Sequence, residues 1–405
     1  MTDNLVRYLQ SPQAIRDRCH LLFQFVEEGR SPYFRYHRDR LDEVADFVIS
    51  VTKESYPDLD IPFHSRWQHF EVGHVFRLQE LDNAIAPYSP REQTKIKFDL
   101  AIVSVLVDAG AGSRWQYREV ETGRIFQRSE GLAVASFRMF QKGLFSSDRD
   151  RPLQVDAAGL KNLTLQTLAK GFQVNETNPL VGLTGRLQLL QTLGAVLVKQ
   201  PQFFGEHSPR SGNLVDYLLK KVAGNNTLTA PIVLQAILAS IGEIWPGRFS
   251  LKGLNLGDVW QHEAIGGDRF VPFHKLSQWL TYSLLEPLED LGIKIHDLEQ
   301  LTGLAEYRNG GLFLDFGVLE IKQSELLAQS HLPSSKLIIE WRALTVILLD
   351  RIAEKMRQKL TLTSAELPLI KVLQGGTWMA GRKIASKLRS QGNPPLSLQS
   401  DGTVF

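Results

Sequence analysis

The stretch KLIIEWRALTVILLDRIAEKMRQKL, residues 336–360, predicts one long amphipathic helix. Its apolar residues form a core stripe at helical spacing: Ile339, Leu344, Ile347, Leu348 and Ile352. Helix signals recur at residues 11–28, 39–54, 180–198 and 233–244. The first of these opens on Ser11 as the N-cap, with Pro12 in the first helical position. We therefore predict a mainly α fold built around a large helical domain.

Composition and charge narrow the class of protein. The 405 residues hold 46 Lys and Arg against 44 Asp and Glu, and we find no basic segment of the kind that nucleic-acid binding needs. A single cysteine excludes an intramolecular disulfide framework and fits a reducing compartment. We see neither a signal-peptide pattern nor a run of about 20 apolar residues. These features predict a cytoplasmic protein that binds neither nucleic acid nor membrane.

Two further local patterns bear on organisation. The apolar run 100–107, rich in β-branched residues and followed by glycines at 110 and 112, predicts a buried strand ending in a turn. It lacks the full spacing of a dinucleotide-binding loop. The polar loop 146–151 is the best candidate boundary. We therefore predict an N-terminal helical region at 1–145, a second helical region at 152–385 and a tail at 386–405.

The segment IPFHSRWQHFEVG, residues 61–73, is the first candidate site. It sets His64, Arg66 and His69 among aromatic residues, a mixture typical of a pocket for a planar polar ligand. The histidines are spaced by five residues, unlike the i, i+4 pair of a zinc helix, so we predict no metal. Satisfied structural histidines are the alternative.

The segments 256–264 and 271–289 hold a second group of candidates. Asp258 and His262 are four residues apart and would share a helical face as an acid–base pair. The alternative is a helix N-terminus at which the dipole favours Asp258. Pro272 is predicted to start a helix with a polar face that would line a cavity, formed by Lys275, Gln278, Tyr282 and Glu286.

Two glycine-containing segments complete the set. In residues 301–320, Glu306, Tyr307 and Arg308 precede an Asn-Gly-Gly turn that allows close backbone approach. An ion pair that fixes the bend is the alternative. In residues 373–383, a glycine pair next to polar and aromatic side chains suggests an indented surface carrying Gln374, Trp378 and Arg382.

These segments, with RSEGLAVASF (128–137), NPLVGLTGR (178–186) and the terminal SDGTVF (400–405), resemble the uracil catabolism protein 4 family. This family, long known as a domain of unknown function, occurs in bacteria and fungi. The resemblance covers essentially the whole chain. It implies a role in a pyrimidine-degrading route that passes through a ribosylated intermediate and yields urea.

A second resemblance, in scattered pieces of the last third, is to the queuosine salvage N-glycosidases. It is carried by LTGLAEYR (301–308), GVLE (317–320), EWRALTV (340–346), KLSQ (275–278) and the W-x-x-x-R pattern at 378–382. The resemblance implies a helical, DNA-glycosylase-like fold in the C-terminal part. The catalytic aspartate of that family falls on Gln374, and the aspartate before its Tyr-Arg pair falls on Glu306. An amide cannot supply the charge of a carboxylate.

We therefore expect a hydrolase that cleaves an N-ribosyl bond of a ribosylated, urea-like intermediate, with Glu306 or Asp258 as the catalytic carboxylate. The predicted substrate-binding residues are His64, Arg66, His69, His262, Lys275, Gln278, Tyr282, Tyr307, Arg308, Gln374, Trp378 and Arg382. We expect no cofactor, and other uracil-degrading enzymes as partners. Two alternatives remain open: a C–N hydrolase of an opened pyrimidine ring that uses Asp258 and His262, and a non-catalytic nucleotide-binding partner in the same route.

Overall fold

Helices dominate the computed structural model, which describes residues 2–245 and 249–399, and the predicted mainly α fold is confirmed. The chain forms two compact units, each assembled from separate stretches. Unit one comprises Met1–His64, Arg248–Gln278 and Asp297–Gln399, and unit two comprises Ser65–Gly247 and Trp279–His296. The polar loop 146–151 lies inside unit two. Local composition carries no record of which distant stretches pack together, so it cannot locate such a division. The terminal SDGTVF motif lies outside the described residues.

Unit one is built on α16 (Lys336–Leu360), whose bounds match the predicted helix. Ser335 caps it, with its hydroxyl accepting from the Ile338 N–H, and the predicted core stripe is buried. The helix packs against α2 (Pro12–Glu27), α3 (Leu41–Ser55) and α15 (Tyr307–Asp315). Further helices of this unit are α1 (Thr2–Leu9), α17 (Leu369–Val372), α18 (Trp378–Leu388) and the start of α14 (Lys275–Asp290).

Short strands of unit one form two-stranded pairs. β1 (Phe34–Tyr36) pairs antiparallel with β10 (Leu319–Ile321), and β7 (Val259–Gln261) pairs antiparallel with β8 (Phe270–Pro272). The remaining pairs described here are β5 (Ser250–Leu251) with β6 (Leu254–Asn255) and, in parallel, β11 (Ser330–His331) with β12 (Ser397–Leu398).

Unit two is also mainly helical. Its helices are α4 (Arg66–Phe70), α5 (Arg77–Ile85), α6 (Pro90–Leu106), α7 (Arg128–Gln141), α8 (Ala157–Lys161), α9 (Leu165–Gly171), α10 (Leu183–Lys199), α11 (Pro201–Phe204), α12 (Leu214–Leu219), α13 (Ala230–Ile241) and the rest of α14. β2 (Gln116–Arg118) pairs antiparallel with β3 (Ile125–Gln127), and β4 (Thr227–Thr229) pairs parallel with β9 (Lys294–His296). Helix α6 packs against α4, α7 and α12. Within the described residues, no helix is long and apolar enough to cross a membrane.

Three sequence predictions about local structure are wrong. The run 100–107 forms the end of α6 rather than a strand, because residues 100–106 are buried on every side and such a run shows neither helical nor strand periodicity. Residues 256–264 form β7 and a 3₁₀ turn rather than a helix. Pro272 ends β8, and the following helix begins three residues later at Lys275.

Candidate functional site

His64 is a buried, neutral imidazole held by a glutamine. Its Nδ1 lies 2.9 Å from Oε1 of Gln374. An amide oxygen only accepts, so Nδ1 carries the hydrogen and donates it, which leaves the lone pair of the ring on Nε2. Burial lowers the pKa of His64 to about 4, so the ring is uncharged near neutral pH. The Gln374 amide nitrogen in turn lies 3.3 Å from the hydroxyl of Tyr56, just after α3.

Gln374 lies in a π-helical turn, Leu373–Thr377, that joins α17 to α18. Such turns insert one residue into a helix and are frequent at functional sites. The glycine pair that follows Gln374 lets this turn approach α3 closely. A Cβ on Gly375 would lie 3.0 Å from Ile61, and one on Gly376 would lie 2.8 Å from Thr52. The two glycines therefore bring Gln374 near the residues that follow α3, where His64 and Tyr56 are located.

Trp378 and Arg382 lie one turn apart on α18, and both side chains are half-buried. The indole centroid is 6.3 Å from the His64 ring centroid, with the planes tilted by 44°. The guanidinium of Arg382 lies over the same indole, 5.6 Å from its centroid. With Gln374 they form the α18 stripe, an amide, an aromatic face and a cation in sequence. Such a stripe suits a planar polar ligand.

Glu306 is the N-cap of α15 and is 8% exposed. Its carboxylate accepts from the backbone N–H groups of Arg308 at 2.8 Å and Asn309 at 2.5 Å. Burial raises its pKa, although these two bonds and the charge of Lys275 oppose the increase. Helix capping therefore explains part of its role. Two of the four lone pairs of the carboxylate take part in these bonds.

Lys275 places a positive charge close to two of these groups. It begins α14, and its ammonium charge lowers the pKa of His64 and also that of Glu306. A Coulombic effect on both groups requires the ammonium to lie near each of them. Unit one therefore brings a cation, a neutral imidazole and a buried carboxyl into one neighbourhood.

Gln278 and Arg308 belong to the same unit and have defined partners. Gln278 is 1% exposed, and its amide nitrogen donates to Oγ1 of Thr302 at 2.7 Å. The Arg308 guanidinium donates to the carbonyl of Gly392 at 2.6 Å and lies over the ring of Tyr307, 5.0 Å from its centroid. Arg308 thus anchors the C-terminal segment to the start of α15, in place of the predicted ion pair with the neighbouring glutamate.

The carboxylate of Asp258 accepts four hydrogen bonds. Oδ1 accepts from Trp260 Nε1 at 2.7 Å and Arg342 Nη1 at 2.9 Å, and Oδ2 accepts from Lys275 N at 3.0 Å and Arg342 Nη2 at 2.7 Å. The charge and hydrogen bonds of Arg342 hold the pKa of this carboxyl far below its usual range, despite burial. A carboxylate with four donors has no lone pair for a substrate. These contacts favour a structural role for Asp258: it caps the start of α14 and so positions Lys275.

His262 has a separate partner, so the predicted Asp258–His262 pair on one helical face is wrong. The two residues flank β7, and His262 Nε2 lies 3.2 Å from Glu340 Oε1. The other Glu340 oxygen accepts from Ser31 Oγ at 2.5 Å. His262 Nδ1 accepts from the Ala264 N–H at 3.2 Å and so caps the 3₁₀ turn after β7.

Three predicted binding residues lie in unit two. Arg66 is fully buried and donates to Asp108 Oδ1 at 2.8 Å and Ser104 Oγ at 2.7 Å. His69 Nδ1 lies 3.2 Å from Ser129 Oγ. Tyr282 is 1% exposed on α14. The pairing of Arg66 with a carboxylate explains how a guanidinium is tolerated at full burial.

Unit one thus collects His64, Lys275, Gln278, Glu306, Tyr307, Arg308, Gln374, Trp378 and Arg382. Sequence reasoning missed three partners. Tyr56 carried no signal because a single tyrosine at a helix end is common. Arg342 and Glu340 lie on α16 within the EWRALTV motif, and two opposite charges inside the otherwise uncharged stretch 337–349 were the signal that could have identified them.

No group of three or more His, Cys, Asp or Glu side chains that could hold a metal ion occurs among residues 2–245 and 249–399. The polar groups of the site include amides, one imidazole, one ammonium, two guanidinium groups and one carboxyl.

Comparison with known proteins gives matches along nearly the whole chain. Residues 8–405 match the family described as protein of unknown function (DUF1688). The chain is 40% identical over 441 residues to uracil catabolism protein 4 of Lachancea kluyveri, across 100% of this chain and 99% of that protein. It is 43% identical over 414 residues to protein urg3 of Schizosaccharomyces pombe (strain 972 / ATCC 24843), across 100% of both chains.

Proposed function

This chain belongs to the family described as protein of unknown function (DUF1688), and from that premise we propose that it is a hydrolase of uracil catabolism that cleaves an N-ribosyl bond. The substrate would be a ribosylated, urea-like intermediate of pyrimidine breakdown. A role in uracil catabolism is supported by the name of one relative, uracil catabolism protein 4 of Lachancea kluyveri, which is 40% identical across 99% of its length. The reaction is supported by the side chains gathered in unit one.

One observation carries the proposal: a buried carboxyl, Glu306, caps α15 in the unit that also holds the neutral imidazole of His64, and the charge of Lys275 acts on both groups. Cleavage of an N-ribosyl bond passes through a sugar with positive charge at the anomeric carbon, so it needs a carboxylate beside that carbon. It also needs a group that takes a proton from water. A carboxyl whose pKa is raised by burial is better matched to that task near neutral pH than an ordinary one.

The reaction balances with water as the single co-reactant. The bond between the anomeric carbon and the leaving nitrogen breaks, and its electron pair stays on the nitrogen. The oxygen of water bonds to the anomeric carbon while Glu306 takes one of its protons. Glu306 then passes that proton to the leaving nitrogen, which restores the carboxylate. Lys275 stabilises negative charge on the leaving group or on a phosphate of the substrate.

The uncharged side chains of His64, Gln374 and Trp378 would bind the substrate. Trp378 offers a half-buried aromatic face on which a planar ureido group or the sugar can pack. Gln374 and His64 form a fixed pair, so the ring enters the complex in one tautomer and without charge. Because burial keeps the pKa of His64 near 4, His64 would not serve as the proton donor at neutral pH.

The test is to incubate the purified full chain with N-ribosylurea, its 5′-phosphate, UMP and uridine, and to identify products by mass. We expect urea together with free ribose or ribose phosphate. Glu306→Gln keeps an oxygen that can cap α15 and should lower kcat by at least about 100-fold, in line with the loss of about 3 kcal/mol of charge stabilisation. Glu320→Gln, at an exposed carboxylate in the same unit, is the matched control and should leave kcat unchanged.

Three results would contradict the proposal. An opened or deaminated product with the sugar still attached would indicate a C–N hydrolase. Ligand binding without turnover would indicate a binding protein. A full rate in Glu306→Gln would remove Glu306 from the chemistry.

A further inference from the structure

We propose that Gln278 recognises the terminal NH₂ group of the ureido part of the substrate, an assignment that rests on the hydrolase function proposed above. The side chain is 1% exposed. Its amide nitrogen donates to Thr302 at 2.7 Å, whereas its amide oxygen has no hydrogen-bond partner among the described residues. The amide is thus held at one end and presents a bare acceptor at the other.

A buried acceptor without a donor is energetically unfavourable. Such a group gives up its hydrogen bonds to water and receives nothing in return. Most buried polar atoms therefore have a partner, and an exception calls for a reason such as a bound molecule. A leucine or methionine would fill the same space without this cost. The retained amide oxygen at Gln278 is explained if the bound state supplies a donor.

Asn309 repeats the pattern close by in the fold. It is fully buried, its amide nitrogen donates to the carbonyl of Leu304 at 3.2 Å, and its oxygen has no hydrogen-bond partner within the described part of the chain. Thr302 and Leu304, which receive the two amide donors, belong to one short buried loop that leads to Glu306. Each amide therefore donates one N–H to this loop, and its acceptor oxygen has no donor among the described residues.

This chemistry points to a ligand edge made of donors. A ureido group has N–H donors on both nitrogens and its single acceptor on the opposite side. A sugar hydroxyl also brings lone pairs that need donors of their own, and the orphaned atoms of Gln278 and Asn309 are acceptors. Gln278 lies three residues after Lys275 on α14, on the same face of the helix. The recognised group would thus lie next to the proposed reaction centre.

The first test compares binding of two ligands by the full chain carrying Glu306→Gln, a substitution that slows cleavage during the titration. N-ribosylurea carries a terminal NH₂, and N-ribosylacetamide has a methyl group of nearly the same size in its place. Titration calorimetry should give at least about tenfold tighter binding of the urea, because the acetamide leaves the Gln278 oxygen without a donor. Equal affinities would overturn the proposal.

The second test adds Gln278→Met to that chain, which removes the acceptor at similar volume. We expect this double variant to bind both ligands with equal affinity, and its Tm without ligand to be no lower than that of Glu306→Gln alone. Gln278→Glu, which keeps an acceptor oxygen, should restore the preference for the urea. A preserved urea preference in Gln278→Met would overturn the proposal. Equal losses for both ligands would also overturn it, because they would identify a sugar hydroxyl as the donor.

The binding measurements and the turnover assay can fail separately. A preference for the urea in the Glu306→Gln chain, together with no cleavage by the wild type, would contradict the hydrolase function and leave the role of Gln278 standing. A protein that cleaves N-ribosylurea but binds the acetamide equally well would do the reverse.

Discussion

Glu286→Gln should stabilise the protein at neutral and alkaline pH. The Glu286 side chain lies on α14, is mostly buried, and accepts a hydrogen bond from Ser65. Burial raises its pKa to about 7, and the nearby charges of Glu289 and Asp290 add to the increase. The folded protein therefore holds a proton on this carboxyl in a range in which the unfolded chain has lost it.

The sign and the size of the effect follow from this difference. Between about pH 4.5 and 7 the folded state binds more protons at Glu286 than the unfolded state, so the free energy of unfolding falls as pH rises. From 4.5 to about 7, at about 1.4 kcal/mol for each pH unit, the loss is about 3 kcal/mol. Glutamine resembles the protonated acid and can still accept from Ser65, so the variant avoids this loss.

The assay is urea unfolding of both proteins from pH 4 to pH 8.5, followed by far-UV circular dichroism. The variant should match the wild type near pH 4 and exceed it by about 3 kcal/mol above pH 7.5. Glu176→Gln, at an exposed position of the same unit, should stay within about 0.5 kcal/mol of the wild type throughout. A stability difference between Glu286→Gln and the wild type that does not change with pH would refute the reasoning.

Two more substitutions test the polar contacts of unit one. Asp258→Asn should lower the free energy of unfolding by about 3–5 kcal/mol, because Arg342 would stay buried without its countercharge. Glu320→Gln, at an exposed ion pair, should lower it by less than about 1 kcal/mol. Similar losses for the two variants in urea unfolding would contradict the structural role of Asp258. Gln374→Glu should raise the pKa of His64 from about 4, since a carboxylate would then accept from Nδ1, and an unchanged imidazole titration by NMR would show that the two side chains are not paired.

The helices with caps and a one-sided apolar pattern were predictable, and the fully buried one was not. The Ser11-Pro12 pair predicted the start of α2, and the apolar stripe in residues 336–360 predicted α16 with its observed bounds. In α6 the run 100–107 lost all periodicity because every side is buried. The length of the helix and its cap at Ser89-Pro90, upstream of the run, were the usable signals.

The candidate site was predictable as segments but not as contacts. Local spacing selected Gln374, Trp378 and Arg382, which do share one stripe, because they lie within three turns of each other. It mispaired Asp258 with its neighbour in sequence, whereas the true partner, Arg342, lies 84 residues away. Sequence spacing reports contacts within a helix turn and carries no information on those between distant stretches.

The difference at Gln374 fits a division of labour within the site. An aspartate at this position would place a carboxylate near the imidazole of His64 and favour its protonated form. With glutamine, burial keeps His64 neutral, and the charges of Lys275 and Arg308 act on Glu306. The positive charge of Lys275 then favours the ionised form of a carboxyl whose pKa burial would otherwise raise further. Glutamine at position 374 is therefore compatible with the proposed hydrolysis, whose carboxyl is Glu306, oriented by the first turn of α15 in the same unit.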